Sequence, residues 1–191
     1  MGPVAFVFDL SDTVVTDPLA PPLPEAVLNP FPARGQPPAK ALPNIGAACA
    51  ELGIEITEQD FATGQAGCVH GFPGGYRVIL NLKHSPAQQL GTLAHELGHV
   101  FCGHLGKMEL GFWPDRSPLE KKAEEFEAEA VAYLVTDRMA LDIASEAYLS
   151  GYLKDDQPLP NYSLDAVLKA AGKVEEMVAG RFHLKQKAKK P

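Results

Sequence analysis

The pentapeptide His95-Glu96-Leu97-Gly98-His99 constrains this chain more than any other stretch of its sequence. Apolar residues recur around it at helical spacing, at Leu90, Leu93, Ala94, Leu97, Val100 and Phe101. Residues 85–88, Ser-Pro-Ala-Gln, have the signature of a helix start, so we predict an amphipathic helix over about residues 86–102. Side chains four residues apart share a helical face, so both imidazoles can reach one metal ion. Glu96 lies beside them, where it can take a proton from a water molecule on that ion.

The segment before this helix favours a strand. Residues 76–82 are mostly apolar or β-branched and follow Gly74-Gly75. A strand followed by a metal-binding helix is typical of zincin-type sites, and such a strand could present its edge to an extended peptide. We therefore predict an α+β, zincin-like fold, with a small mixed or antiparallel sheet packed on the H-E-x-x-H helix and on a second helix that carries a third ligand. The alternative is a core helix whose two histidines are hydrogen-bonded structural residues.

A zinc site of this class needs a third protein ligand and keeps a fourth position for water. Residues 117–120, Ser-Pro-Leu-Glu, predict a capping box, and an acidic helix follows to about Arg138. Four glutamates compete for the ligand role: Glu124, Glu125, Glu127 and Glu129. Glu125 is preferred because Ala128 and Ala132 share its helical face and would let the two helices approach closely.

Glu129 lies one turn beyond Glu125, where it could accept a hydrogen bond from the second nitrogen of a ligating histidine. The alternative for this helix is a solvated acidic face that balances neighbouring lysines. That alternative suits the remaining glutamates, at Glu120, Glu124 and Glu127.

Taken together, these motifs resemble the ImmA/IrrE-type metallopeptidases, in which H-E-L-x-H precedes a helix of the form E-x-x-A-[N/E]-x-x-A. Residues 125–132, Glu-Phe-Glu-Ala-Glu-Ala-Val-Ala, are similar to that helix. The chain also resembles the metallopeptidase domain of ArdC-type antirestriction proteins, which have a segment like residues 7–13 before the catalytic part. The resemblance implies Zn²⁺ as cofactor, with His95, His99 and Glu125 as its ligands and Glu96 as general base. Many ImmA-like members have Asn where Glu129 stands, so the role of this position transfers less directly.

The resemblance also implies a zinc metalloendopeptidase that hydrolyses peptide bonds in a protein substrate, such as a transcriptional repressor. The alternative is a zinc-stabilised regulatory or antirestriction-type interaction module with little or no proteolysis. Glu96 favours the peptidase, because a purely structural zinc site has no need for a carboxylate next to the first histidine. Five residues could stabilise the oxyanion, and each also has an ordinary structural role available: Tyr133, Tyr148, Tyr152, His104 and Arg116.

Composition bounds the partners. The net charge of −7 argues against nucleic-acid binding by the whole chain, although the basic tail at residues 181–190 could contact phosphates weakly. No apolar run is long enough to span a membrane, and residues 1–10 lack the basic start of a signal peptide. Three widely spaced cysteines do not suggest a disulfide framework, so we expect a cytoplasmic protein. Cys102 could offer a thiolate ligand, but a buried free cysteine is the preferred interpretation.

Four segments are expected. They are an N-terminal strand segment at residues 1–17, a proline-rich extended segment at 18–43, a metallopeptidase domain at 44–180 and a basic, disordered tail at 181–191. The proline-rich segment could wrap the surface, cover the cleft or act as a linker. Within the domain we further predict a helix at 44–52 with Asn44 as N-cap, a loop at 71–75, a helix at 141–153 and a last helix at 163–179.

Overall fold

The computed structural model describes residues 29, 31–61, 65–106, 113–143, 145, 149 and 158–184 of this 191-residue chain. In chain order, its elements are β1 (Ala33–Arg34), α1 (Ala41–Glu51), β2 (Ile54–Gln59), β3 (Gly67–Phe72), β4 (Gly75–Asn81), α2 (Pro86–Cys102), α3 (Lys121–Asp137), β5 (Asp142–Ile143) and α4 (Leu164–Val178). The expected N-terminal strand and the lysines of the tail lie outside the described residues. Among the helices that are described, none combines the length and the apolar character that crossing a membrane requires.

Helix α2 has the predicted bounds. The Ser85 hydroxyl accepts a hydrogen bond from the Gln88 backbone N–H, and the Gln88 side chain accepts one from the Ser85 N–H, which completes a capping box. The helix ends where Gly103 adopts the left-handed conformation at φ 86°. A Cβ atom there would lie 2.0 Å from the Pro114 carbonyl oxygen, so only glycine fits.

A three-stranded mixed sheet packs against α2, which confirms the α+β prediction. Its strand order is β2-β4-β3, with β2 parallel and β3 antiparallel to β4. The expectation that the strand before α2 presents a free edge is wrong, because β4 is the central strand. The edge next to α2 belongs instead to β3, which forms a hairpin with β4. The predicted loop at 71–75 shrinks to the tight turn of that hairpin.

Two helix starts differ from the prediction. Helix α3 begins at Lys121 with Glu120 as N-cap and no side-chain cap, because the Ser117 hydroxyl and N–H both donate to Asp115 at 2.8 and 3.1 Å. Helix α1 begins at Ala41, inside the proline-rich segment, with Lys40 as N-cap. Pro43 is tolerated in that first turn because its missing N–H would have no partner within the helix. The Asn44 amide instead donates to the Val178 carbonyl at 2.9 Å and ties α1 to the end of α4.

The chain after α3 also differs from the prediction. Ala140 has a positive φ of 55°, which turns the chain out of α3, and Asp142 and Ile143 form strand β5 rather than the start of a helix. Strand β5 pairs with β1 in an antiparallel ladder that joins Ala33 to Ile143. Much of the remainder of the predicted 141–153 helix lies outside the described residues. The last predicted helix is confirmed as α4, capped by the Ser163 hydroxyl.

Candidate metal centre

Two histidines of α2 and one glutamate of α3 converge on one point. The Nε2 atoms of His95 and His99 lie 3.2 Å apart. Glu125 Oε2 lies 3.5 Å from the first of these nitrogens and 3.7 Å from the second. These are three of the residues that the sequence proposes as metal ligands, and the fold brings them together.

The convergence depends on small residues where α2 and α3 cross. A Cβ atom on Gly98 would lie 3.0 Å from Ala128 Cα and 3.3 Å from Val131 Cβ, so the backbones are already in van der Waals contact. Ala128 and Ala132 are both buried in this contact. The small-residue face that the sequence predicts beside Glu125 is therefore the face that packs on α2.

The three donor atoms fit a zinc ion. Zinc lies roughly 2.0–2.2 Å from nitrogen and oxygen ligands, and tetrahedral geometry then separates the ligands by about 3.3–3.6 Å. The observed separations of 3.2, 3.5 and 3.7 Å fall around this range. Two imidazole lone pairs that face each other at such a distance repel, so the arrangement requires a proton or a metal cation between them.

Without a metal, that proton resides on His95. Burial alone would lower the pKa of His95, but its contacts with the Glu125 and Glu129 carboxylates outweigh burial and raise the pKa to about 10. His99 is the opposite case, because burial lowers its pKa despite the nearby Glu125. The same two histidines hold the pKa of Glu125 far below its ordinary value, against the opposing effect of burial.

Glu96 lies beside this group and is buried, with 7% of its surface exposed. Burial raises the pKa of Glu96 to about 7, although the charge of His95 and a hydrogen bond from the Val69 backbone of β3 act in the other direction. The carboxyl can therefore take and release a proton near neutral pH.

Glu129 holds the outer side of the His95 ring. Its Oε2 atom lies 2.8 Å from His95 Nδ1, as expected for a carboxylate that orients a ligating histidine. Burial would raise the pKa of Glu129, but hydrogen bonding to His95 outweighs it and lowers the pKa.

The outer side of the His99 ring is held differently. His99 Nδ1 lies 2.9 Å from Nδ1 of His104, a buried histidine just past the end of α2. His104 Nε2 in turn lies 2.9 Å from Glu127 Oε2. The sequence suggests that His104 lies away from the ligand face, as a fifth residue along a continuous helix would. Gly103 ends α2, however, and turns the chain so that His104 returns beside His99.

Glu127 is the largest departure from the sequence-based interpretation. It is not part of a solvated face but is fully buried. Its carboxylate accepts two hydrogen bonds from Arg116, one from His104 and one from the Ser163 backbone N–H. Burial would raise its pKa, but these donors outweigh it and lower the pKa to about 2. Arg116 is thus paired with an acidic neighbour and has an ordinary structural role.

Cys102, His104 and Glu127 form a second, fully buried group of potential metal donors. The Arg116 guanidinium already supplies the positive charge there, which disfavours a divalent cation. Burial raises the pKa of Cys102 to about 12, so the thiol stays protonated. All three cysteines of the chain are free. Cys102 is therefore the buried free cysteine that the sequence favours.

Of the other oxyanion candidates, Tyr133 lines a separate cavity with Thr136 and Leu141. Tyr148 and Tyr152 lie outside the described residues.

A mixed α+β fold with an H-E-x-x-H helix and a converging third carboxylate defines the class of metallopeptidase-like domains. The profile of the peptidase M78 family, described as the IrrE N-terminal-like domain, matches residues 49–154. That range covers more than half of the chain, so the chain belongs to this family, and the predicted ImmA/IrrE resemblance is confirmed. Membership indicates a metallopeptidase-like function, a bound metal ion and a protein substrate. No curated protein and no solved structure matches the chain.

Proposed function

We propose that this protein is a zinc-dependent endopeptidase in which His95, His99 and Glu125 hold the zinc ion and Glu96 is the general base. The observation that carries the proposal is the convergence of three donor atoms at separations of 3.2–3.7 Å next to the buried carboxyl of Glu96. Three protein ligands leave one position open, which is the pattern of catalytic rather than structural zinc.

The ion would acidify a water molecule and polarise the peptide carbonyl. Glu96 accepts the proton of the attacking water and then delivers it to the leaving amine nitrogen. Burial supports both halves of this exchange, since it brings the pKa of the carboxyl close to the working pH. The Val69 N–H fixes the carboxyl from the side of β3.

The outer contacts of the two histidines fix their tautomers. Glu129 accepts a hydrogen bond from the N–H at His95 Nδ1, so the Nε2 lone pair of His95 points into the site. If His99 Nε2 also faces the metal, its Nδ1 must donate to His104 Nδ1. His104 must then carry its own proton on Nε2 and donate a hydrogen bond to Glu127. Each of these hydrogen bonds, from His99 to His104 and from His104 to Glu127, then has one donor and one acceptor.

The substrate we propose is a protein, and by resemblance a regulatory protein such as a transcriptional repressor in the cytoplasm. Within the described part of the chain, β3 pairs with β4 alone, so its outer edge can add an extended peptide as a further strand. Gly67 of β3 lines the cavity beside Glu96, which supports substrate binding along this edge.

The test compares the zinc content of wild type and Glu96→Gln with their cleavage of candidate proteins. Glu96→Gln should keep its zinc and lose cleavage by roughly 100-fold or more, because the amide cannot accept a proton. Equal cleavage by both proteins would contradict the role of Glu96. Zinc binding without cleavage by wild type would favour the zinc-stabilised interaction module instead.

A further inference from the structure

A cavity of about 420 Å³ opens beside the metal-binding group. One end is formed by His95, Glu96 and Glu125, which places the cavity next to the atoms that would react. The volume lies within the range of roughly 300–1,000 Å³ in which proteins bind small groups. Whatever occupies this cavity therefore lies against the bond to be cut.

Apolar surface dominates the lining of the cavity as a whole, although Gln65, Thr92 and Ser145 are among its lining residues. Gly91, Ala132 and Ile143 line it from α2, α3 and β5. Residues 31–33 (Phe31, Pro32 and Ala33) also line the cavity, and we call them the wall segment. The wall segment belongs to the proline-rich stretch and precedes the range 49–154 that matches the family. The cavity thus combines a shared active-site helix with a part of the chain that the family match does not cover.

Gln88 holds the wall segment in place. Its Nε2 atom donates to the Phe31 carbonyl at 2.7 Å and to Asn29 Oδ1 at 3.1 Å. The other atom of the same amide, Oε1, accepts the Ser85 N–H at 2.9 Å as part of the capping box. One side chain therefore caps the active-site helix and ties the wall segment to it.

A second attachment fixes the far end of the wall segment. Ala33 pairs with Ile143 in the β1–β5 ladder, and both residues line the cavity. Ile143 packs closely on α2, since a Cβ atom added to Gly91 would lie 3.2 Å from Ile143 Cδ1. Gly91 lies one helical turn before His95, so this contact sets the distance between the wall and the metal-binding face.

We propose that this cavity is a substrate subsite that takes an apolar side chain next to the scissile bond, and that the wall segment, held by Gln88, sets its size. This inference rests on the proposed peptidase function. A polar side chain that entered this mostly apolar cavity would lose more hydrogen bonds to water than it could regain, whereas an apolar side chain gains free energy from burial. The wall segment is thus a specificity determinant and Gln88 its positioning residue.

The test uses peptide hydroxamates, which bind zinc through the same group and differ only in a leucine, glycine or aspartate side chain. The leucine compound should bind zinc-loaded wild type about 10-fold or more tightly than the glycine compound, and the aspartate compound should gain nothing. Equal affinities for the leucine and glycine compounds would overturn the proposal.

Gln88→Glu separates the two roles of this side chain. Glutamate keeps an acceptor for the Ser85 N–H but removes the donor to Phe31 and Asn29, so the unfolding temperature should stay near wild type while the leucine preference falls roughly threefold or more. Phe31→Ala should shift the preference toward a bulkier tryptophan side chain. Leu168→Ala, at an exposed position of α4 away from the cavity, is the control and should change neither preference. An unchanged leucine preference in both Gln88→Glu and Phe31→Ala would overturn the role of the wall segment.

Binding and cleavage are read separately. Side-chain discrimination by a protein that cuts no substrate would leave the subsite standing and remove the proposed function. Cleavage of substrates without a preference for the leucine compound would support the proposed function and overturn the subsite. A zinc-loaded protein that neither cuts nor binds any hydroxamate would remove both.

Discussion

The two histidines of the H-E-x-x-H helix share a helical face but are held in different ways. His95 contacts the Glu129 carboxylate directly at 2.8 Å. On its outer side, His99 Nδ1 reaches a carboxylate only through another imidazole, His104, and that carboxylate, Glu127, is already neutralised by Arg116. The first support concentrates negative charge on the metal-binding group, whereas the second fixes a ring without adding net charge. Within one motif, a local contact therefore holds His95, whereas His99, one turn later, is held by a network that spans α3, α4 and the loop before α3.

The largest expected difference between the two supports concerns folding. Glu127→Ala removes the partner of Arg116, His104 and the Ser163 N–H at once, and breaking such a buried pair should cost about 3–5 kcal/mol of unfolding free energy. Glu129→Ala, on the same helix, removes the hydrogen bond to His95 and should cost no more than about 2 kcal/mol. Denaturant unfolding of both metal-free variants gives the comparison. A larger loss in Glu129→Ala would reverse our assignment of the structural carboxylate.

Zinc affinity should show the opposite order. Glu129→Ala removes the direct partner of His95, and such changes typically lower metal affinity roughly 10–100-fold. His104→Phe should lower it less, and His104→Gln, whose amide can accept from His99 and donate to Glu127, should recover most of the loss. Competition with a chromophoric chelator measures all three. If His104→Phe and His104→Gln were equally weak, His104 would act through packing rather than through its hydrogen bonds.

The pH dependence provides a smaller test. In the metal-free protein the pKa of His95 rises from 6.5 to about 10. Its protonated form thus stabilises the fold fully below about pH 6.5, and this contribution is lost as the pH rises through about 10. When a chelator keeps the protein free of metal, its free energy of unfolding should therefore fall between pH 7 and 10. Zinc binding at pH 8 should release about one proton from His95. Thermal unfolding and calorimetry in buffers of different ionisation enthalpy measure these effects. A stability that did not change with pH would mean that the proton lies on a group other than His95. In Glu129→Gln, the stability should depend less on pH than in wild type.

The same comparison shows what the sequence could and could not predict. The His95 side follows from helical spacing, since Glu125 and Glu129 lie one turn apart on a face with two alanines. The His99 side depends on Gly103, which reverses the chain after α2, and on Ser163, which reaches Glu127 from a distant part of the chain. Helix periodicity carries no information on either. The available signal was the glycine itself, because a helix that ends at Gly103 brings the following residue back toward the last turn.

Errors at the element boundaries have a similar origin. Ser85 caps α2 because its hydroxyl meets the Gln88 N–H, whereas Ser117 has the same local pattern but bonds to Asp115. Strand β3 lacks a clear alternation of apolar residues and is defined by its partner β4. Local motifs are reliable where the side chain has one available partner, and they fail where a neighbour competes.

The smallest expected effect belongs to Cys102. It lies in the second group of potential donors, but its thiol has a pKa of about 12 and Arg116 occupies the neighbouring charge position. Cys102→Ala should leave zinc affinity within about threefold of wild type, because Arg116 and His104 already occupy the Glu127 carboxylate beside this thiol. Loss of zinc from Cys102→Ala would place the ion in the group formed by Cys102, His104 and Glu127 and would contradict the proposed site.

X-ray absorption at the zinc edge tests the central claim most directly, because it reads the donor atoms themselves. We expect one zinc ion per chain with two imidazole nitrogens and oxygen donors at roughly 2.0–2.2 Å. His99→Ala should remove one imidazole from that shell. A sulfur neighbour at about 2.3 Å would place the metal with Cys102 and contradict the site formed by His95, His99 and Glu125.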